Sequence, residues 1–450
     1  MKKVMAFCGV LVFSATGFSQ TIVDITIKGI KNDSISLGYY YGNNQYETGK
    51  CFLDSKGHGT FISKETLEIG LYLLVTPKNN GYLEFIIDQP KITLSSNIKN
   101  LNRYATSIDS KANQLFFEYM NYLSEVQENI KGVNEVLEDD PENEKANQRK
   151  AEIANGANKY LQNILSKHPE DIFSQMLIAQ QEVSIPNEVT NQSEQLYYYK
   201  KHFFDNIDFT KNWLIRTNII PQKISLYLGQ LTHPTIDSLT ASIDYILDQA
   251  KVNEEVYKFI LVNFLNKYAT SNIMIANNLY AHLLERYYFT GKAAWMEAEL
   301  LNKMKARYDV IKPSLIGAYA RDFKVKRTNN KVYSALNYSK DYLILIFSNI
   351  ERLNSNEFSE GSTKLLQALP ENVAILTVAI GVDDKSIHKL LNTLPYNSNL
   401  CTLEGNMEEV IRNYSLVNNL SMKTYVIDKS GKIVAKGLSL RALETFINKK

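Results

Sequence analysis

Cysteine is scarce in this chain. Its 450 residues include three, Cys8, Cys51 and Cys401, and none lies between Cys51 and Cys401. Two or three cysteines so far apart cannot form the disulfide framework of a small secreted domain. The long interval between Cys51 and Cys401 also holds no Cys-x-x-Cys pair, the motif on which dithiol redox chemistry depends.

An excess of charge of either sign is also absent. Removal of the first nineteen residues takes away Lys2 and Lys3 and no acid, which leaves 48 basic and 48 acidic residues. A neutral chain offers no electrostatic basis for binding nucleic acid or an anionic membrane. Beyond residue 19 no apolar run approaches the roughly 18 residues that span a bilayer. We therefore predict neither a nucleic-acid partner nor a transmembrane segment.

The common signatures of cofactor and metal sites are missing as well. The six histidines are scattered singly, and none stands at ligand spacing from another histidine or a cysteine. The sequence has no Gly-x-Gly-x-x-Gly, no phosphate-binding loop and no Gly-x-Ser-x-Gly elbow. We therefore predict no cofactor, no metal and no catalytic residue of these classes.

The N-terminal segment is different in composition from the rest of the chain. Lys2 and Lys3 precede an apolar stretch over residues 4–18, and Gly17 and Ser19 are small residues at the −3 and −1 positions of a cleavage site. This pattern predicts a secretory signal peptide over residues 1–19, cleaved after Ser19, and hence a periplasmic or cell-envelope protein. The alternative is a buried N-terminal helix.

The mature chain divides by its hydrophobic pattern into three modules. Residues 20–108 contain short apolar stretches separated by Gly, Asn and Pro, which predicts an antiparallel β sandwich, with a barrel as the alternative. From residue 109 to 312 apolar residues recur at helical spacing, which predicts an all-α module. Residues 313–450 alternate between strand and helix patterns, which predicts an α/β domain.

The C-terminal domain is organised around one apolar stretch. Residues 342–347 are six consecutive apolar residues, as in a strand buried on both faces. Around it we predict a hairpin within residues 321–338, strands over 373–380, 424–428 and 432–436, and helices over 358–368, 384–391, 407–414 and 439–448.

This order of elements resembles the thioredoxin fold, and more closely the TlpA-type thiol–disulfide oxidoreductases of the Gram-negative cell envelope. The likeness is carried by the hairpin over residues 425–434 and the closing helix. Two upstream segments, Gly59-Thr60-Phe61 with Gly70-Leu71-Tyr72, and 202–209 with 320–323, resemble modules of unknown role that are fused to such domains.

The resemblance implies two functional positions. The family's nucleophilic cysteine follows the first core strand, at a helix N-terminus that lowers its pKa; this position falls at Arg352-Leu353-Asn354-Ser355, where Ser355 is also a candidate helix cap. The family's cis-proline falls at Met422, and no proline follows Pro395. A cis bond before a residue other than proline costs about 3 kcal/mol, so we expect a trans bond there.

These departures predict a protein that has lost dithiol chemistry and acts by binding a protein or an extended peptide, whose identity the sequence does not give. Apolar residues on the two loops suggest either an exposed patch or one covered by another module: Ile350, Leu353, Val417, Leu420 and Met422. The alternative is a diverged thiol–disulfide oxidoreductase or antioxidant protein that uses Cys401, alone or with Cys51; a third is a purely structural envelope component. Between Leu400 and Leu403, a buried Cys401 is favoured over a reactive lone thiol.

Overall fold

The computed structural model describes residues 20–77, 81–327, 330–381, 400–416 and 422–448. The chain forms two compact units. The first comprises Met1–His233 with Tyr245–Phe259, and the second Pro234–Asp244 with Ile260–Lys450. The predicted signal peptide and the predicted helix over residues 384–391 lie outside the described residues, and the predicted module boundaries stay predictions.

The first unit begins with two four-stranded sheets. Their strands are β1 (Ile22–Lys28), β2 (Asp33–Tyr41), β3 (Asn44–Leu53), β4 (His58–Ile62), β5 (Gly70–Val75), β6 (Tyr82–Ile87), β7 (Lys91–Asn97) and β8 (Thr106–Ser107). The strand orders are β4-β1-β7-β8 and β3-β2-β5-β6. Most pairings are antiparallel, but β1 and β7 run parallel, so the prediction of a purely antiparallel module was wrong for this sheet. The connection between β1 and β7 is long enough for a parallel pair, since it contains β2 to β6.

One apolar core is shared by strands of both sheets. Val23, Ile25 and Ile27 alternate along β1 with more exposed neighbours and are at most 1 % exposed. Leu37 of β2 and Phe85 of β6 lie in the same cluster. This alternation places one face of each strand inside, which is what the period-two pattern predicts.

The middle of the chain is helical, as predicted. Its helices are α1 (Lys111–Asp139), α2 (Glu144–Lys167), α3 (Ile172–Gln180), α4 (Gln192–His202), α5 (Ile219–Gln230), α6 (Ile236–Ala250), α7 (Glu254–Thr270), α8 (Ala276–Leu283) and α9 (Ala298–Ile311). Ser110 and Asn143 accept hydrogen bonds from backbone N–H groups in the first turns of α1 and α2. Such caps satisfy N–H groups that have no partner within the helix.

The second unit contains a seven-stranded sheet in the order β10-β9-β13-β12-β11-β14-β15. Its strands are β9 (Lys324–Arg327), β10 (Val332–Ser334), β11 (Tyr342–Asn349), β12 (Val373–Ile380), β13 (Leu400–Glu404), β14 (Lys423–Asp428) and β15 (Ile433–Lys436). The helices are α10 (Ile350–Leu353), α11 (Asn356–Gln367), α12 (Met407–Asn413) and α13 (Leu440–Ile447). Strand β11 is central, parallel to β12 and antiparallel to β14, and β14 and β15 form the predicted antiparallel hairpin. Strand β13 and helix α10 were not predicted.

The apolar stretch of β11 contributes to two separate cores. Ile344 and Ile346 belong to a cluster that also contains Phe358 of α11. Leu345 and Phe347 belong to the cluster on the other face. Because successive side chains of a strand point to opposite faces, a strand covered on both sides must be apolar throughout.

Candidate functional site

The candidate site begins where β11 ends. Asn349 is the last residue of β11, and its side-chain oxygen accepts a hydrogen bond of 2.9 Å from the backbone N–H of Arg352. This bond caps the short helix α10, which follows the strand without a loop. Sequence reasoning missed this role, although an Asn directly before Ile-Glu-Arg is a recognisable N-cap pattern.

Ser355 separates α10 from α11. Its hydroxyl accepts from the backbone N–H of Phe358 at 3.2 Å and donates to the carbonyl of Arg352 at 2.7 Å. The prediction of a helix cap is therefore confirmed, and the hydroxyl both donates and accepts a hydrogen bond. The guanidinium of Arg352 is 3.0 Å from the carboxylate of Glu357; the Arg352 side chain is partly exposed and the Glu357 side chain largely so.

The apolar residues around this turn differ in exposure. Leu353 is 0 % exposed and belongs to the core that contains Ile344 and Phe358. Ile350 and Met422 are half-buried and pack against the same cluster. Leu353 therefore cannot belong to an exposed patch, and the predicted set of five reduces to Ile350 and Met422 among the described residues.

Met422 directly precedes β14, the strand that pairs with β11. It thus lies at the same end of the sheet as α10, as the sequence predicted. Val417 and Leu420 lie outside the described residues. The peptide bond before Met422 joins it to Ser421, which is also outside them, so the expectation of a trans bond stays a prediction.

Cys401 lies on β13 and is only 2 % exposed. Its side chain belongs to the core that contains Leu345 and Phe347, whereas Leu353 belongs to the core on the opposite face. Strand β12 separates β13 from β11, so Cys401 is roughly 10 Å from β11, at about 4.8 Å per strand. Burial raises the pKa of the thiol, an effect that the Arg327 guanidinium offsets only in part. A buried thiol of raised pKa is a poor nucleophile.

The thiol of Cys51 is also inaccessible for reaction. It lies on β3 in the core of the first unit and is 4 % exposed. Burial raises the pKa of its thiol, and the nearby Asp24 carboxylate adds to the effect. Both described cysteines are free thiols.

The described residues show neither a metal-binding cluster nor a membrane-spanning helix. Within residues 20–77, 81–327, 330–381, 400–416 and 422–448, no group of three His, Cys, Asp or Glu side chains is arranged to hold a metal ion. In the same part of the chain, no helix is both long and apolar enough to cross a bilayer.

Comparisons with known proteins give a partial match. Residues 138–314, less than half of the chain, match a family described as a domain of unknown function, DUF5106. No curated protein is significantly similar to the chain. A thioredoxin-like protein from Bacteroides caccae is 19 % identical, with a TM-score of 0.45, over 60 % of this chain and 98 % of that one.

Two further solved structures are similar to a smaller part. The thioredoxin domain of a thiol-disulfide oxidoreductase from Bacteroides vulgatus is 18 % identical, with a TM-score of 0.27, over 30 % of this chain and 96 % of that one. An exposed lipoprotein thioredoxin from Streptococcus pneumoniae is 17 % identical, with a TM-score of 0.25, over 29 % of this chain and 100 % of that one. The second unit itself has a central β11 beside parallel β12 and the antiparallel hairpin of β14 and β15, an order of elements on which the sequence-based expectation of a thioredoxin-like fold is based.

Proposed function

We propose that this chain is an exported, redox-inactive, TlpA-like protein of the bacterial cell envelope that binds a protein or an extended peptide. The observation that carries the proposal is the absence of a thiol where β11 ends, together with the burial of Cys401 on the opposite face of the sheet. Thiol–disulfide exchange needs an accessible thiolate. Neither Cys51 nor Cys401 meets that requirement, which argues against the oxidoreductase alternative.

In this proposal Arg352-Leu353-Asn354-Ser355 occupies the place of the family's dithiol, and Met422 that of its cis-proline. Two features support the assignment. The four residues begin in α10, three positions after the central strand ends at Asn349, and Met422 directly precedes the strand paired with it. Leu353 is a core residue, Ser355 caps α11 and Arg352 pairs with Glu357.

The binding surface that we propose consists of Ile350, Arg352 and Met422. Ile350 and Met422 are half-buried, so each keeps part of its apolar surface in contact with solvent. The side chain of Arg352, two residues after Ile350 in the same short helix, is 41 % exposed and pairs with the Glu357 carboxylate at 3.0 Å. Apolar side chains next to an arginine are a combination enriched at protein interfaces.

The test is a binding assay with a fluorescently labelled polypeptide that has been reduced and carboxymethylated so that it has no fixed structure. We expect saturable binding by the wild-type chain and at least a ten-fold weaker binding by the double variant Ile350→Asp/Met422→Asp. A matched control is Val332→Asp, which changes a 47 % exposed apolar residue at the other edge of the same sheet. Equal binding by the double variant and the wild type, or no binding by the wild type, would rule out this surface.

The proposal includes the organisation of the whole chain. Residues 1–19 are the signal peptide, 20–108 a β sandwich, 109–312 a helical module and 313–450 the thioredoxin-like domain. The basic start and the apolar stretch over residues 4–18 support export, and the shared core of the two N-terminal sheets supports a sandwich.

A further inference from the structure

A polar pocket of about 350 Å³ lies within the second unit, where β14 begins and β15 ends. Its wall contains the residues that lead into α8, among them Asn272 and Asn277, and the hydroxyl-bearing residues Ser314 and Ser415. The strands contribute Lys423 and Lys436 among others. This volume is at the lower end of the range of pockets that hold small molecules, roughly 300–1,000 Å³.

Lys436 is an unusual residue for such a position because it is only 9 % exposed. Its ammonium group donates a hydrogen bond of 2.8 Å to the carbonyl oxygen of Ser314. Among the described residues, no acidic side chain lines the pocket. Burial and, to a lesser extent, the charge of Lys423 together lower the pKa of Lys436 to about 8. A buried charge that lacks an opposite charge is costly, and such charges are otherwise found paired.

The positively charged side chain of Lys423 lies close to that of Lys436. Lys436 is directly opposite Tyr425 in the β14–β15 pair, and Lys423 precedes Tyr425 by two residues on the same face. Diagonal neighbours of this kind are about 7–8 Å apart at Cα, so one ligand can reach both ammonium groups. Coulomb repulsion between the two lysines is relieved when an anion lies between them.

The start of α8 forms part of the pocket wall, where the backbone N–H groups of Ala276 and Asn278 already donate to the carbonyls of Ile273 and Ile275. Its N-cap residue, Ile275, provides no side-chain hydrogen bond to the first turn. The N–H groups at a helix start carry partial positive charge and favour anions. The amide of Asn277, in that first turn, also faces the pocket. Two lysines, together with Asn272 and Asn277, thus line the space, and acidic groups are absent from its described wall. The hydroxyls of Ser314 and Ser415 are already hydrogen-bonded to the backbone carbonyls of Ile311 and Val310.

We propose that this pocket binds a small dianion, whose oxygen atoms lie between Lys423 and Lys436. The chemistry shared by the fitting ligands is a doubly charged oxyanion, present in phosphate and in short dicarboxylates. The pocket shares no residue with the surface formed by Ile350, Arg352 and Met422, although Lys423 directly follows Met422, and it does not depend on the binding role proposed for that surface.

The test is isothermal titration of the whole mature chain with inorganic phosphate and, in a parallel arm, with succinate, at pH 7 and constant ionic strength. We expect saturable binding of at least one of the two anions. The anion that binds more tightly shows whether the site prefers a phosphate or a dicarboxylate. Lys423→Met should weaken binding about ten-fold or more, because a charge-assisted hydrogen bond is lost. Lys436→Met should do the same.

Lys340→Met serves as the matched control, since Lys340 is exposed and precedes β11 at the opposite end of the strand from Lys423. It should bind as tightly as the wild type. Lys423 is only half-buried, so Lys423→Met tests the site even if Lys436→Met perturbs folding. Absence of saturable binding in both arms, or equal weakening in Lys340→Met, would overturn the proposal.

Discussion

Replacement of Lys436 by Met should stabilise the ligand-free protein. The pKa of Lys436 falls from 10.5 to about 8 in the folded chain. At 1.36 kcal/mol per pKa unit, its charged form costs about 3 kcal/mol at pH 7. The variant removes this cost but leaves the carbonyl of Ser314 without its donor, which costs about 1–2 kcal/mol. The free energy of unfolding should therefore rise by about 1–2 kcal/mol.

The advantage of Lys436→Met should shrink at high pH. Because the pKa of Lys436 is lower in the folded chain, the unfolded chain binds more protons between about pH 8 and 10.5. The free energy of unfolding of the wild type therefore rises with pH across that window, by about 2 kcal/mol from pH 7 to pH 9.5. The other titratable groups facing Lys436 from β14, Lys423 and Tyr425, are the same in both proteins.

The assay is urea unfolding followed by tryptophan fluorescence in a phosphate-free buffer at pH 7 and 9.5. Lys340→Met, a change at an exposed position, should stay within about 0.5 kcal/mol of the wild type. A clear loss of stability in Lys436→Met at pH 7, or a difference that does not change with pH, would refute the reasoning. Either result would mean that Lys436 is a structural residue whose charge is compensated within the chain.

Three further predictions concern the candidate site and the N-terminus. Leu353→Ala should lower the free energy of unfolding by about 3 kcal/mol, measured by the same urea titration, because the side chain is 0 % exposed in a packed core; a loss below about 1 kcal/mol would contradict its burial. Cys401 should react with iodoacetamide many times more slowly in the native protein than in urea, since it is 2 % exposed, and equal rates by mass spectrometry would contradict this. The protein isolated from its native host should begin at Gln20, and a mature N-terminus at Met1 would reject the predicted cleavage after Ser19.

The central strand could be predicted because the sequence itself indicates that both of its faces are buried. Six consecutive apolar residues over 342–347 are needed only where both faces of a strand are covered, and the structure places β11 between two cores. Strand β13 gave no such signal. It has five residues and pairs with β9 and β12, partners that are distant in sequence. Its strand character therefore depends on tertiary contacts more than on local propensity.

The candidate sites were harder to predict than the fold. Helix α10 has four residues, too few for a hydrophobic period, and its existence depends on the cap from Asn349. The pocket depends on the register of the β14–β15 hairpin, which shifts at a bulge between Val426 and Ile427. A one-residue shift moves side chains to the other face of a sheet, so Lys423 and Lys436 could not be placed together from their spacing alone.

The measurement that tests the central claim most directly is reduction of insulin in the presence of dithiothreitol. The mature chain should not accelerate the reaction above the rate with dithiothreitol alone, because no accessible thiol lies at the end of β11 and Cys401 is buried. Cys401→Ser should behave in the same way as the wild type. A clear acceleration by the wild-type chain that disappears in Cys401→Ser would contradict the account and restore the oxidoreductase alternative.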